Sequence, residues 1–384
     1  MALSKIDVAN MLTGLVPNDN TIRRPDSKPL VVNGDLMVAQ RGTSFTANGY
    51  NLDRFVFDNS NDGAVTVTQD STVPSGQGFS KSVKFDVTTA DGTLAANQYC
   101  QWTQKFEGQN LQLLKYGTSS AENLTLAFWV RSNKTGTYSV RFVKEAGGQT
   151  RYECPIIYTI DSADTWEKKV INLSPTAGST SLITGTAGAI INTNAAGYRI
   201  AWIFAAGSNF HATNNTWVGA SDKFTTDAQA NLLDNTNNEL YITGVQLEVG
   251  EFSSTTIPPF QHESFGDNLA RCQRYFQNLG EGTEKPLANG FFWEAQEFMA
   301  HAGLNAIMRA EPTLEYVTAS NYYSILRNGG TDQLDALVIS GSSSRSYIRY
   351  HLASGQGVAS DTKNRPGQLM TANSSSRVGV TAEL

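Results

Sequence analysis

The sequence predicts an all-β protein: a jelly-roll-type antiparallel β-sandwich, then a short helix, then a second, smaller β-sandwich domain. Three observations carry that expectation. Short apolar runs alternate at period 2 from residue 31 to about residue 249, with no long helical stretch between them. The composition is neutral and turn-rich, with 40% hydrophobic and only 17% charged residues and 33 glycines in 384 residues, as in sheet proteins with many tight connections. Residues 239–276 change period from strand-like to helical, which marks the end of one β-domain and the start of another.

Residues 1–30 read as an attachment or oligomerisation segment and linker. Leu3, Ile6, Val8, Met11 and Leu12 recur at roughly helical spacing, and a polar stretch containing Pro17 and Pro29 follows. A helix this short does not hold itself together in water. The apolar handle therefore either packs on the next domain or docks onto a partner or sister chain.

Residues 31–260 are assigned to the jelly roll. Val65 and Val67 alternate, as do Val83, Phe85 and Val87. The runs at 124–130 and 138–142 flank Asn133-Lys-Thr-Gly136 and read as a β-hairpin. Residues 152–160 continue the pattern, with Pro155 pointing to an edge position or a bulge. Runs at 166–170 and 198–204 supply further strands. Two long connections, 174–197 and 207–238, interrupt them; the second holds Phe210, His211, Trp217, Phe224, Leu232 and Leu233, so it must bury something. In the last strand Leu240 and Ile242 keep one phase while Val245, Leu247 and Val249 keep the other, a slip that a bulge at Gly244 would produce.

After a Pro258-Pro259-Phe260 turn, residues 261–280 read as a connecting helix. Phe265, Leu269, Cys272, Tyr275 and Phe276 are spaced for it, with Asp267 or Asn268 to cap the first turn and Gly280 beyond the end. Residues 281–384 return to strand-like runs at 290–293, 306–309, 313–317, 336–339, 347–352 and 377–382, forming a C-terminal β-domain.

A net charge of -6 without any Lys/Arg run argues against nucleic acid as a partner. Three scattered cysteines, Cys100, Cys154 and Cys272, form no Cys-x-x-Cys and read as buried free thiols of a chain folded in a reducing cytoplasm. Lys5 and Asp7 interrupt any signal-peptide core, and the longest apolar run, 200–206, is too short to span a bilayer, so no membrane insertion is expected. Five Asn-x-Ser/Thr triplets, at Asn123, Asn133, Asn172, Asn214 and Asn373, read as products of composition.

The local signatures of catalysis are missing: no Gly-x-Ser-x-Gly, His-Glu-x-x-His, P-loop or helix-opening Gly-x-Gly-x-x-Gly occurs. His211, His262, His301 and His351 stand apart and read as hydrogen-bonded structural residues. The stretch 58–63 faintly resembles the start of a calcium loop, but Gln69 stands where a bidentate carboxylate is wanted, so a polar turn is expected, with a structural calcium held by distant loops left open. No cofactor, catalytic residue or metal ligand is assigned, and no enzyme is expected.

Aromatics carry more weight, because sugar rings stack on exposed Trp and Tyr faces flanked by polar side chains. Trp202 is in phase with Tyr198, Ile200 and Phe204 and reads as core. Trp129, beside Arg131, is out of phase with the core residues of its strand; Trp217 sits in the long loop near His211, Asn214 and Asn215. Each of the two is covered by the chain itself, packs against a neighbouring chain, or binds a ligand. The candidate ligand-binding set is therefore Trp217, His211, Asn215, Trp129 and Arg131.

Five blocks, Asn33-Gly-Asp-Leu-Met-Val-Ala-Gln-Arg-Gly-Thr-Ser44, Leu52-Asp-Arg-Phe55, Thr165-Trp-Glu-Lys-Lys169, Ile242-Thr-Gly-Val-Gln-Leu-Glu-Val-Gly250 and Cys272-Gln-Arg-Tyr-Phe276, resemble a widespread family of bacteriophage tail-fibre and related virion proteins. The first twelve residues and the terminal Val-Thr-Ala-Glu-Leu are similar to the ends of the same family, so the likeness spans nearly the whole chain. It implies a jelly roll similar to carbohydrate-binding modules, a small following β-domain, and a place on the virion after assembly in the host cytoplasm. It also implies a homotrimer whose N-terminal segment binds other virion proteins while distal β-domains meet host-surface glycan. The blocks themselves read as structural, with Gly34 and Gly244 in unusual backbone geometry and Trp166 and Phe276 filling cores. At 384 residues the chain is short for a fibre, which keeps a head fibre, capsid decoration or adaptor protein without receptor binding as the alternative and a polysaccharide-degrading enzyme as a lesser one.

Overall fold

The alternating runs become strands in a computed structural model that describes residues 28–147, 150–219 and 222–384. Leu3, Ile6, Val8, Met11 and Leu12 of the expected attachment segment lie outside the described residues. Two compact units form, the first from described residues 28–37, 43–51 and 55–263, the second from 38–42, 52–54 and 264–384. Two short pieces from within the 31–260 span read as the jelly roll thus belong to the second unit.

The first unit holds β1 (Ser44–Phe45), β2 (Gly49–Tyr50), β3 (Phe55–Asn59), β4 (Ala64–Asp70), β5 (Ser82–Thr89) and β6 (Tyr99–Glu107). It continues with β7 (Leu124–Ser132), β8 (Gly136–Lys144), β9 (Tyr152–Ile160), β10 (Glu167–Leu173), β11 (Ala196–Ala206) and β12 (Glu239–Val249). They make two six-stranded antiparallel sheets, ordered β1-β4-β5-β12-β7-β10 and β2-β3-β6-β11-β8-β9. The chain passes repeatedly between the sheets, which is the jelly-roll manner of closing a sandwich; the expected hairpin around residues 133–136 is one such crossing instead, since β7 pairs with β10 and β12 and β8 with β9 and β11. Pro155 lies on edge strand β9, where a missing N–H costs no ladder bond.

Inward-facing rings fill the space between the sheets. Phe55 stacks on Trp102 at 3.9 Å, Trp102 meets Trp202 at 5.3 Å, and Phe128 approaches Trp202 edge-on at 5.5 Å. The phase slip in β12 is real: its register against β7 shifts between Thr243 and Gln246, with Gly244 at φ +62°. A Cβ at Gly244 would stand 2.6 Å from the Phe79 ring, so both the backbone angle and the space demand glycine.

The second unit contains α1 (Phe265–Gln273), β13 (Phe276–Glu281), β14 (Pro286–Glu294), β15 (Glu297–Gly303) and β16 (Thr313–Tyr316). After these come β17 (Tyr323–Arg327), β18 (Gly330–Leu334), β19 (Tyr347–Ala353), β20 (Pro366–Thr371) and β21 (Arg377–Thr381). A three-stranded sheet, β13-β21-β16, and a six-stranded sheet, β18-β17-β20-β14-β15-β19, share a core that includes Phe292, Phe298, Tyr323, Tyr350, Leu352 and Val380. The apolar runs at 306–309 and 336–339 are loops instead of strands. Their buried Met308 and Leu337 anchor those loops into the core, and an anchor mimics a strand in sequence.

Helix α1 is capped by Ser264, whose side chain accepts the Asp267 N–H, so neither Asp267 nor Asn268 is the cap. The helix also stops earlier than its apolar spacing suggests, because Tyr275 and Phe276 serve another purpose. The Arg54 guanidinium lies 3.5 Å over the Tyr275 ring and that of Arg41 3.7 Å over Phe276. Both arginines also pair with Glu383, and Arg41 with Glu315 at 3.1 Å. The pieces 38–42 and 52–54 are thereby built into the second unit by charge as well as by packing.

Asp53 belongs to the same cluster, accepting from the Gln40 backbone N–H at 2.6 Å and from Gln40 Nε2 at 2.5 Å. Burial outweighs those bonds and nearby Arg41 and pushes its carboxyl up from 3.8 to about 6. A raised carboxyl binds its proton more tightly folded than unfolded. Its contribution to stability is full below about pH 4 and is lost as pH rises through about 6. Asp53→Asn should therefore flatten the melting temperature between those pH values relative to the parent; two parallel curves would contradict this.

Candidate ligand-binding face

The five residues singled out from sequence do not converge. Trp217 is only 1% exposed, its indole N–H donates to the Ser174 carbonyl at 2.9 Å, and Tyr116 meets it edge-on at 6.5 Å. It is the buried plug of the long loop, so the reading of Trp217 as a sugar platform is corrected: no face of the ring is open to stack on. His211 is partly exposed, with Nε2 3.4 Å from the Ala206 carbonyl, and Asn215 is exposed at a turn with φ +49°. Polar residues alone do not make that turn a stacking site.

Trp129 and Arg131 point outward from β7, as their phase requires. Trp129 is half-buried between Lys168 of β10 and Thr243 of β12. Arg131 pairs with Asp164 at 2.8 Å and Glu239 at 3.4 Å and lies 5.1 Å over the Tyr241 ring. Trp166 faces the same Tyr241 at 6.2 Å, so it packs on the outward surface of the sandwich and does not fill the core as expected. With Arg131 already engaged by two carboxylates, this patch offers part of one indole.

The outward face of the other sheet is covered by the chain itself. Phe210 and Phe224 of the long loop stack at 4.4 Å, and Tyr99 meets both edge-on. Beneath them the Arg141 guanidinium lies 3.8 Å over Phe224 and donates to Gln101 at 3.0 Å and to Glu153 at 3.3 Å. Asp58, in the stretch that faintly resembled a calcium loop, is occupied by Tyr99 Oη at 2.9 Å and Gln101 at 3.2 Å. Among the described residues no group of three His, Cys, Asp or Glu is placed to hold a metal ion.

The second unit differs. Of the eight large hydrophobic residues exposed among the described ones, seven lie there: Phe265, Trp293, Ile307, Val317, Leu326, Val338 and Tyr347. Trp293, 46% exposed, sits at a bulge near the end of β14 with its ring 6.4 Å from that of Phe291. Lys363 approaches the Trp293 ring at 5.6 Å while pairing with Glu294 at 2.6 Å.

Strand register places two rows side by side on the outward face of the six-stranded sheet. One runs Pro366, Phe291, Met299, His351; the other runs Leu326, Gln368, Asn289, His301, Arg349. Gln368 donates to Asn289 at 3.1 Å, and His351 stands 3.3 Å from Glu297. An open groove of about 560 Å³ lies along part of this face, lined by Asn289, Leu326, Arg327, Pro366 and Gln368 among others. Arg327 is neutralised by Asp332 at 2.8 Å and Asp361 at 2.9 Å, and the hydrogen bonds it donates to Asp332 hold its guanidinium further above the usual range.

An apolar and aromatic row beside amide and imidazole groups is chemistry for a flat, hydroxyl-rich ligand. In the sequence the run 290–293 reads only as strand. Three successive aromatics in a strand put Phe291 and Phe292 on opposite sides, so one of the rings had to point outward.

The fold and this face define a jelly-roll-type β-sandwich protein with a second β-unit that presents an exposed aromatic surface. No family model matches the sequence, and no curated protein matches it. Among solved structures, the enzymatically active domain of tailspike protein 4 from bacteriophage CBA120 is 14% identical over 58% of this chain and 21% of its own, with TM-score 0.30. A putative sugar-binding protein from Bacteroides thetaiotaomicron is 12% identical over 58% of this chain and 100% of its own, at TM-score 0.31. A family 11 carbohydrate-binding module from Clostridium thermocellum, in complex with a mixed-linked tetrasaccharide, is 10% identical over 55% of this chain and 98% of its own, at TM-score 0.28. These likenesses are distant, and the functional reading rests on the residues of this chain.

Proposed function

We propose that the chain is a structural protein of a bacteriophage virion, a short tail fibre that attaches to the host surface by binding glycan on its β-domains and performs no catalytic step. The observation that carries this reading is the outward face of the second unit, where Trp293 and Phe291 lie beside a row of hydrogen-bonding side chains. Each site would be weak alone. Three copies per fibre, held to other virion proteins by residues 1–30, and several fibres per particle would multiply residence time.

A second reading, a head fibre, decoration or adaptor protein without receptor binding, draws on the exposure of Phe265 and Ile307, at 54% and 63%. Apolar residues that open suit contacts between subunits. Trp293→Ala separates the two. On the fibre reading it weakens binding to isolated host-surface polysaccharide by roughly three- to tenfold, the value of one ring contact, and leaves the melting temperature unchanged. Unchanged binding, or no binding by the parent, removes the adhesive role. Shortening of the polysaccharide in the same tube points to the enzyme alternative.

A further inference from the structure

We propose that the row ending at Arg349 binds the carboxylate groups of an acidic polysaccharide, so that this face selects charged over neutral sugar chains. The proposal rests on the glycan-binding reading above and adds the class of glycan.

Leu326, Gln368, Asn289, His301 and Arg349 stand in register on the adjacent strands β17, β20, β14, β15 and β19. Neighbouring strands lie about 4.8 Å apart, so the row extends roughly 19 Å across the sheet, enough for a short stretch of sugar chain. Its amide end offers partners for hydroxyls. Its other end is cationic.

Arg349 is partly buried, and among the described residues no carboxylate pairs with it. Its Nη2 contacts the Met299 sulfur at 2.8 Å, a weak acceptor, and its buried Nε has no hydrogen-bond partner. A guanidinium withdrawn from water without a counter-charge is costly, and its planar fork matches a carboxylate. Of the other charges nearby, Arg327 is engaged by Asp332 and Asp361 and Lys363 by Glu294, while the Glu297 carboxylate stands 3.3 Å from the His351 imidazole. Exposed His301, directly across from Arg349, adds a second donor.

The test uses the full chain with polygalacturonate, its methyl-esterified neutral form, and sulfated dextran as a bare polyanion. Binding to polygalacturonate is expected to exceed that to the ester by about tenfold or more, the ratio a charge-assisted hydrogen bond carries. Arg349→Gln should erase that preference. His301→Glu, at an exposed position where folding is not at stake, should also lower it, which keeps the test decisive if Arg349→Gln fails to fold.

Equal affinity for the acid and its ester, still sensitive to Trp293→Ala, would overturn the anion site and leave the glycan face standing. Binding indifferent to Trp293→Ala, Arg349→Gln and His301→Glu would overturn both. Stronger binding to sulfated dextran than to polygalacturonate would replace carboxylate recognition with simple charge attraction and overturn the proposed class, as would no binding to polygalacturonate.

Discussion

Replacing Glu383 by alanine is expected to destabilise the second unit by about 3–5 kcal/mol, the usual result of breaking a buried ion pair from one side. The Glu383 side chain is 5% exposed, and the two arginines it pairs with, Arg41 and Arg54, are each 2% exposed. Arg41 keeps Glu315, but both guanidiniums lie on aromatic rings that shield them from water. Removing the shared carboxylate therefore takes a counter-charge from both guanidiniums in a site that water barely reaches. Urea denaturation should show a lower midpoint with an unchanged slope, and Glu383→Gln should fall between. A loss below about 1 kcal/mol would mean that packing of Tyr275 and Phe276, and not charge, holds residues 38–42 and 52–54 in place.

The second large effect is expected at Glu153, which is fully buried on β9. Its carboxylate pairs with Arg141 at 3.3 Å and Arg151 at 2.9 Å and accepts the backbone N–H groups of Lys223 at 2.7 Å and Asp222 at 3.2 Å. One residue thus both neutralises Arg141, whose guanidinium burial pulls down to about 10, and ties the long loop to the sheet. Glu153→Ala should cost about 3–5 kcal/mol. It should also raise amide exchange and protease cleavage across 207–230 before the sandwich as a whole unfolds. Loss of stability without any local change in the loop would show that Glu153 serves only its arginines.

Much of the secondary structure was legible because period 2 reports directly on the pleat. The edge position of Pro155 and the bulge at Gly244 each follow from local rules about missing donors and positive φ, whereas Asn133-Lys-Thr-Gly136, which reads as a hairpin turn, joins strands of different sheets, a choice of partner that local turn chemistry does not encode. The two segments misread as strands, 306–309 and 336–339, have a common cause. Met308 and Leu337 anchor loops to the core, and an apolar anchor in a loop has the same local appearance as a short buried strand. The candidate site was less legible: Trp129 faces outward as expected, but Trp217 proved to be a core plug, and Trp293 passed for one more strand residue.

By itself, the sequence determined that this chain folds as successive antiparallel strands in a jelly-roll-type sandwich with a second β-unit, and, for strands with clear alternation such as 83–87 and 124–130, which side faces in. Only tertiary structure decided what lies beyond the outward side. On one sheet of the first unit that side is sealed by Phe210 and Phe224, whereas Trp293 in the second unit stays open. It also decided that Arg41 and Arg54 meet Glu383, 342 and 329 positions away. Alternation is a local property of a pleated backbone, while exposure and ion pairing depend on residues that only the folded chain brings together.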